Sequence, residues 1–314
     1  MLNRRHIRIK VLQILYAFFH SQSDDLIKCE RELDKSMNKS HALYVHLLLL
    51  LVNFKTLAEQ KIEMGRNKLL PTQDDLNPNT KFIDNKTLCL LAENLSLIEK
   101  LESEEVYWDE NPELQGKLFR QIQESEIYRT YMADAHSSFI EDRKFVSAIF
   151  MALIAPNEDL HSYLEEKSLY WIDDFQVSNL AVVKTLKSLK PESDEYSRLL
   201  PVFKDEDDKV FAQELLKKTL VNSVTYKKYV VETASNWDEE RISDMDQLLM
   251  QMAISELLNF ETIPVKVTLN EYIELSKDYS SHKSKVFING VIDKLADRFK
   301  EEGLLRKLGR GLVE

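Results

Sequence analysis

The sequence is poor in the residues that interrupt regular backbone, with 6 Gly and 7 Pro among 314 positions. That scarcity excludes a turn-rich sheet architecture and leaves long amphipathic helices as the way to build a core. Cysteine is equally scarce: Cys29 and Cys89 lie far apart in helix-like stretches, which excludes a disulfide framework or a zinc pair and suits a reducing cytoplasm. Positive charge is in deficit, 42 Lys and Arg against 53 Asp and Glu, for a formal net charge of −11. The long-range field therefore repels polyanions and anionic membranes, and any nucleic-acid site has to be local. No long hydrophobic run is present either. The most apolar stretch, Ala42 to Val52, is interrupted by His46 and falls short of the roughly 20 residues that cross a bilayer, so it reads as a buried helix. The amino terminus lacks the apolar core of a secretory signal. No membrane partner is expected.

The chemistry-bearing patterns of enzymes are missing as well. There is no glycine-rich phosphate loop, no metal-spaced His pair and no serine nucleophile elbow, and the seven His are scattered. The expectation is a non-enzyme with no cofactor and no metal.

What is there is helical patterning. A first helix is predicted over 4–19, with Ile7, Val11, Ile14, Leu15 and Phe18 on its inward face. Helices follow over about 24–37 and 41–64, the second ended by Gly65 as a left-handed cap. Residues 69–80, with Pro71 and Pro78, read as a loop. Four helical segments come next, over about 85–103, 112–130, 134–154 and 157–168. Residues 189–208, with Pro191 and Pro201, read as a linker. Asp205 to Asp208 cap a helix running to about 234, and others cover about 238–260, 268–279 and 284–301. The last carries Phe287, Ile288, Val291, Ile292, Leu295 and Phe299 on one face, and Trp237 and Phe260 read as core residues. The fold class is all-α.

Charge is segregated at the amino terminus. Residues 1–20 hold Arg4, Arg5, Arg8 and Lys10 with no acidic residue. Arg4, Arg8, Leu12 and Tyr16, spaced by four, form a slowly turning row with Arg5 beside it. Arginines for phosphates and an exposed ring for a base would suit single-stranded RNA. A solvated basic helix end with Tyr16 half-buried explains the same residues.

Residues 3–20 (NRRHIRIKVLQILYAFFH) resemble the opening helix of the NusB family. Residues 264–277 (PVKVTLNEYIELSK), followed by FINGVIDK at 287–294, are similar to the two most characteristic carboxy-terminal motifs of that family, in the same order. Arg241, Ile242, Asp246, Ala253, Glu256 and Leu257 resemble the helix before them. The resemblance implies a NusB-like helical bundle from residues 1–20 and 205–303, with an inserted helical region at 21–204 of unassigned role and a tail at 304–314. It further implies transcription antitermination: binding of boxA-type single-stranded RNA together with the small-subunit ribosomal protein NusE, on an elongating RNA polymerase, notably in ribosomal RNA operons. Arg4, Arg5, Arg8 and Tyr16 match the family's basic and aromatic positions in the opening helix, and Phe287 matches the aromatic of the closing motif. Lys285 joins them through its charge and position. Asn270, Glu271, Asn289 and Gly290 admit a structural reading as caps and a close-packing glycine beside a functional one. In the tail, Arg306, Lys307 and Arg310 could touch phosphate or simply belong to an unpinned terminus. Two other readings are a helical interaction scaffold without RNA binding and an RNA methyltransferase. The second lacks a glycine-rich cofactor fold.

Overall fold

The computed structural model describes the chain except residues 22–24, 105–107, 109, 235–241, 282 and 313–314, and describes only the backbone at 102–104. Trp237 and Arg241 lie outside the described residues. Among those described, all regular structure is helical. The chain divides into two compact units, one of Met1 with Asn38–Val202, the other of Leu2–Met37 with Phe203–Glu314. The structural division thus falls at residue 38, where the sequence reading places the start of the inserted region at 21.

Helix α1 (Arg4–His20) begins at Asn3, whose side chain accepts from the His6 amide. Helix α2 (Leu26–Arg66) is one uninterrupted helix where two were expected. Neither Ser40 nor His41 caps a break: the Ser40 hydroxyl donates to Asp174, and the His41 ring pairs with the Leu200 carbonyl. Gly65 does not end α2 in a left-handed turn; it lies inside the helix, where a Cβ would come within 2.9 Å of the Asp75 carboxylate.

The first unit is built on α2. A stretch of that helix is long and apolar enough to cross a bilayer by length and composition, because it extends well beyond Ala42–Val52, and 67% of it is buried. Leu43, Leu47, Leu50, Leu51 and Phe54 form the centre of the core there. Around it lie α3 (Gln73–Leu76), α4 (Lys86–Glu93), α5 (Leu95–Glu104), α6 (Pro112–Glu124), α7 (Glu126–Ala133), α8 (Phe139–Ile149), α9 (Glu158–Lys167) and α10 (Phe175–Ser188). Single polar residues split two of the expected helices. Asn94 separates α4 from α5 by accepting from the Leu97 amide, and Ser125 ends α6 and caps α7 through the Tyr128 amide. A π-helical turn, Phe150–Ile154, closes α8, and the Ala155 amide bonds to the Phe150 carbonyl at 2.8 Å. Helix α10 was not anticipated. The Leu200 amide bonds to the Tyr44 hydroxyl, and Leu200 also pairs with His41, so the two ends of this unit run side by side.

The second unit collects α1 with α11 (Glu206–Val221), α12 (Ser223–Thr233), α13 (Asp244–Asn259), α14 (Val265–Tyr279) and α15 (Ser284–Glu301). Helix α13 is its axis, packed against α1, α11, α12, α14 and α15. Accordingly it is buried on nearly every side, from Leu249 to Leu257. Helix α1 contributes Ile7, Val11 and Leu15 to this core, and α15 contributes Ile288, Val291, Ile292, Leu295 and Phe299.

Helix α15 ends in a left-handed Gly303 (φ +68), with the Gly303 amide bonded to Lys300 and the Leu304 amide to Phe299. The segment beyond is pinned. The Leu308 amide donates to the Glu261 carbonyl, and Lys307 Nζ to the Phe260 carbonyl. Buried Gly311 packs so closely that a Cβ would sit 2.0 Å from Glu261 O.

Candidate nucleic-acid interface

The basic residues of α1 do not form the open row that their spacing suggests. Arg8 is 2% exposed and Glu256, on α13, is 0% exposed. Two parallel bonds join them, Nε to Oε2 at 2.7 Å and Nη2 to Oε1 at 2.8 Å. The Thr268 hydroxyl, at 2.8 Å, and the Tyr272 hydroxyl, at 3.3 Å, also donate to Glu256, so the buried carboxylate is fully engaged. Burial works against the Arg8 charge, but the attraction and hydrogen bonding of Glu256 outweigh it and hold the guanidinium above its ordinary pKa. Arg8 is therefore a clamp between α1 and α13, and the expectation of a surface site there is corrected. A position four residues from Arg4 has turned inward because helical rows drift, and Glu256 is waiting on the apolar helix opposite.

Arg4 and Arg5 remain near solvent. Arg4 Nε bonds to Asp208 at 3.1 Å and its guanidinium lies 5.1 Å from the centre of the Phe211 ring, both on α11. Arg5 makes a fork with Glu271 of α14, at 2.9 and 2.8 Å. Burial pushes Glu271 up, but hydrogen bonding from Arg5 and the charges of Arg8 and Arg5 set its carboxyl below the usual range. Glu271 sits mid-helix in α14, so it is an ion-pair residue and caps nothing. Lys10 is buried. His6, enclosed beside Arg5 and Lys10, has its pKa lowered to about 4, first by burial and then by those two charges.

At the other end of α1, Tyr16 is 38% exposed and stacks on His20, ring centres 3.9 Å apart. Together with Phe19 these rings form one wall of a groove of about 490 Å³. Ser223, Val224 and Lys227 of α12 and Asp244, Gln247, Leu248 and Gln251 of α13 complete the lining.

On α15, Lys285 is half-buried near the first turn, whereas Phe287 is 8% exposed and belongs to the core. The expectation of Phe287 as an RNA contact is corrected, and its place on the apolar face holds: the helix turns the ring onto the bundle with Ile288 and Val291. Gly290 faces open space, so it permits no close packing. Among the described residues no group of three or more His, Cys, Asp or Glu side chains is arranged to hold a metal ion.

The NusB family profile matches residues 179–297. The chain is 39% identical over 114 residues to the transcription antitermination protein NusB of Salinibacter ruber, covering 36% of this chain and 71% of that protein. This chain belongs to the NusB family. A second family member, transcription antitermination protein NusB of Chloroherpeton thalassium, is 32% identical over 151 residues, 48% of this chain and 68% of its own length. The NusB protein of Natranaerobius thermophilus is 32% identical over 91 residues, 29% of this chain and 66% of its own. No solved structure matches the chain. The matched NusB segment contains Asp208, Glu256 and Glu271, the acidic partners of α1 that sequence reasoning did not assign. One signal was available: Glu256 lies in MQMAISELL, a charged residue in an apolar helix, which needs a buried partner.

Proposed function

We propose that this chain is a non-catalytic, cytoplasmic transcription antitermination factor that binds single-stranded, boxA-type RNA together with the small-subunit ribosomal protein NusE and acts on elongating RNA polymerase in ribosomal RNA operons. Family membership carries the antitermination role, and the placement of Arg4, Arg5 and Tyr16 on one helix supports the RNA site. Guanidinium groups at one end of α1 would hold phosphates, and an exposed ring at the other would take a base. Lys285 is a further cation for the backbone. The first unit, an insertion relative to shorter family members in this reading, leaves the RNA-binding helix in the second.

The deciding experiment is capture of the full chain from its native lysate with and without ribonuclease, followed by RNA titration with and without the ribosomal protein. Co-capture of RNA and the ribosomal protein, with tighter RNA binding when both are present, is expected from two modest surfaces sharing one strand. Equal affinity with and without the protein refutes the joint site. One observation favours a second reading, a protein-interaction scaffold: Arg4 and Arg5 are already paired with Asp208 and Glu271. Failure to bind single-stranded RNA at both low and physiological salt would select it.

A further inference from the structure

The groove at the carboxy-terminal end of α1 contains polar groups that its own fold leaves unserved. Gln251 is 7% exposed, and its Oε1 is buried without a hydrogen-bond partner; the Nε2 of Gln247, one helical turn earlier, is in the same condition. Both residues line the groove opposite Tyr16 and His20. A buried amide atom with no partner is costly, and native proteins keep few of them without a use. Here one unserved acceptor and one unserved donor lie together on α13, beside stacked rings, with Lys227 also in the lining.

From this arrangement we propose that the groove is a reading pocket for a single unstacked nucleobase of the bound RNA, stacked against the Tyr16 and His20 rings and hydrogen-bonded on its edge by Gln251 and Gln247. The Watson–Crick edge of every base offers a donor beside an acceptor, which is the pairing that a carboxamide oxygen and a neighbouring carboxamide nitrogen complement. Lys227 supplies charge for the phosphate of the same nucleotide. A peptide bond would also offer a donor and an acceptor, but the stacked Tyr16 and His20 rings beside the two amides favour the flat face of a base. The inference rests on the RNA-binding reading above and adds where one base is recognised.

The test uses the full chain with a set of single-stranded RNA oligonucleotides, each lacking one base, and compares wild type with Gln251→Leu and Gln247→Leu in titration and melting. Wild type should lose about tenfold in affinity at one position only, the scale of a lost stacking contact. Gln251→Leu should bind the intact oligonucleotide about fivefold more weakly than wild type, bind the oligonucleotide lacking that base as wild type does, and melt no lower than wild type, since it removes an unserved buried polar atom. A residue with a merely structural role would move melting and leave the positional profile unchanged. If wild type binds RNA with a flat positional profile, or Gln251→Leu binds every oligonucleotide as wild type does, the reading pocket is refuted while RNA binding stands. If the leucine variants weaken binding of the ribosomal protein alone, the groove is a protein contact and the inference falls. If wild type binds no single-stranded RNA, the functional reading falls and takes the pocket with it.

Discussion

Replacing Arg8 distinguishes a clamp from a binding residue. In Arg8→Met the apolar stem is kept and the guanidinium removed, so Glu256 remains with only the Thr268 and Tyr272 hydroxyls. The carboxylate is 0% exposed, so water cannot replace the lost partner. Removing one member of such a buried pair costs about 3–5 kcal/mol. At about 2–4 °C per kcal/mol for a unit of this size, melting should fall by roughly 6–20 °C. The double variant Arg8→Met with Glu256→Leu removes both charges and should recover most of the loss, because well-packed apolar replacements of buried pairs are near neutral or stabilising. Thermal melting and urea unfolding, followed by circular dichroism, give both quantities. The reasoning is refuted if Arg8→Met costs less than about 1 kcal/mol, or if the double variant is no better than the single one.

The other predictions concern salt, protons and backbone. With Arg8 withdrawn, Arg4, Arg5, Lys285 and Lys227 are left for phosphates, so log affinity against log salt should have a slope of about −2.1 to −2.8 at roughly −0.7 per contact for three or four contacts; a slope of about −3.5 or steeper in titrations would require further cations. His6 titrates at about 4 in the fold against 6.5 in an unfolded chain, so the unfolded state binds the extra proton between those values. Stability should therefore be lost as pH falls through that window and level off above it, and His6→Asn should flatten this part of the urea-unfolding profile. Gly311→Ala would place a methyl 2.0 Å from Glu261 O, and should release residues 304–312, seen as faster amide exchange at Leu308 with α15 unaffected.

The helical character of the chain was legible because apolar residues recur at helical spacing with so little Gly and Pro to interrupt them. The inward face of α1 at Ile7, Val11 and Leu15, and that of α15 from Ile288 to Phe299, follow from that pattern alone. Breaks were harder to see. Asn94 and Ser125 break helices by accepting from the Leu97 and Tyr128 amides, while Ser40, of similar chemistry, spends its hydroxyl on Asp174 and lets α2 continue. Local sequence does not distinguish these choices, since Ser40 is diverted by Asp174, 134 positions away, while the two caps find their partners three residues on. The same holds for the interface. Spacing and charge single out Arg4, Arg5 and Tyr16 as candidates, but the inward turn of Arg8 depends on Glu256, 248 positions away. Phe287 was legible as an aromatic at a marked position, and its burial only as part of an apolar face.

The adjacency of His41 and Leu200 bears on the order in which the chain can assemble. The ion pairs of Arg4, Arg5 and Arg8 each join residues more than 200 positions apart, so the first helix synthesised must wait for the last ones. Closing a flexible loop costs entropy that grows with the logarithm of its length, about 0.6 kcal/mol per doubling. Once the segment between His41 and Leu200 has folded, its 159 intervening positions no longer count as free chain, and the loop from Arg8 to Glu256 shrinks from 248 to about 90. That saves about 1 kcal/mol of closure entropy, roughly a fivefold rate advantage if it is felt in the transition state. Early folding of the first unit thus shortens the loop that the second has to close, and substitutions in the first unit's core, at Leu47 or Phe54, should slow the docking of α1 without touching any residue that α1 meets.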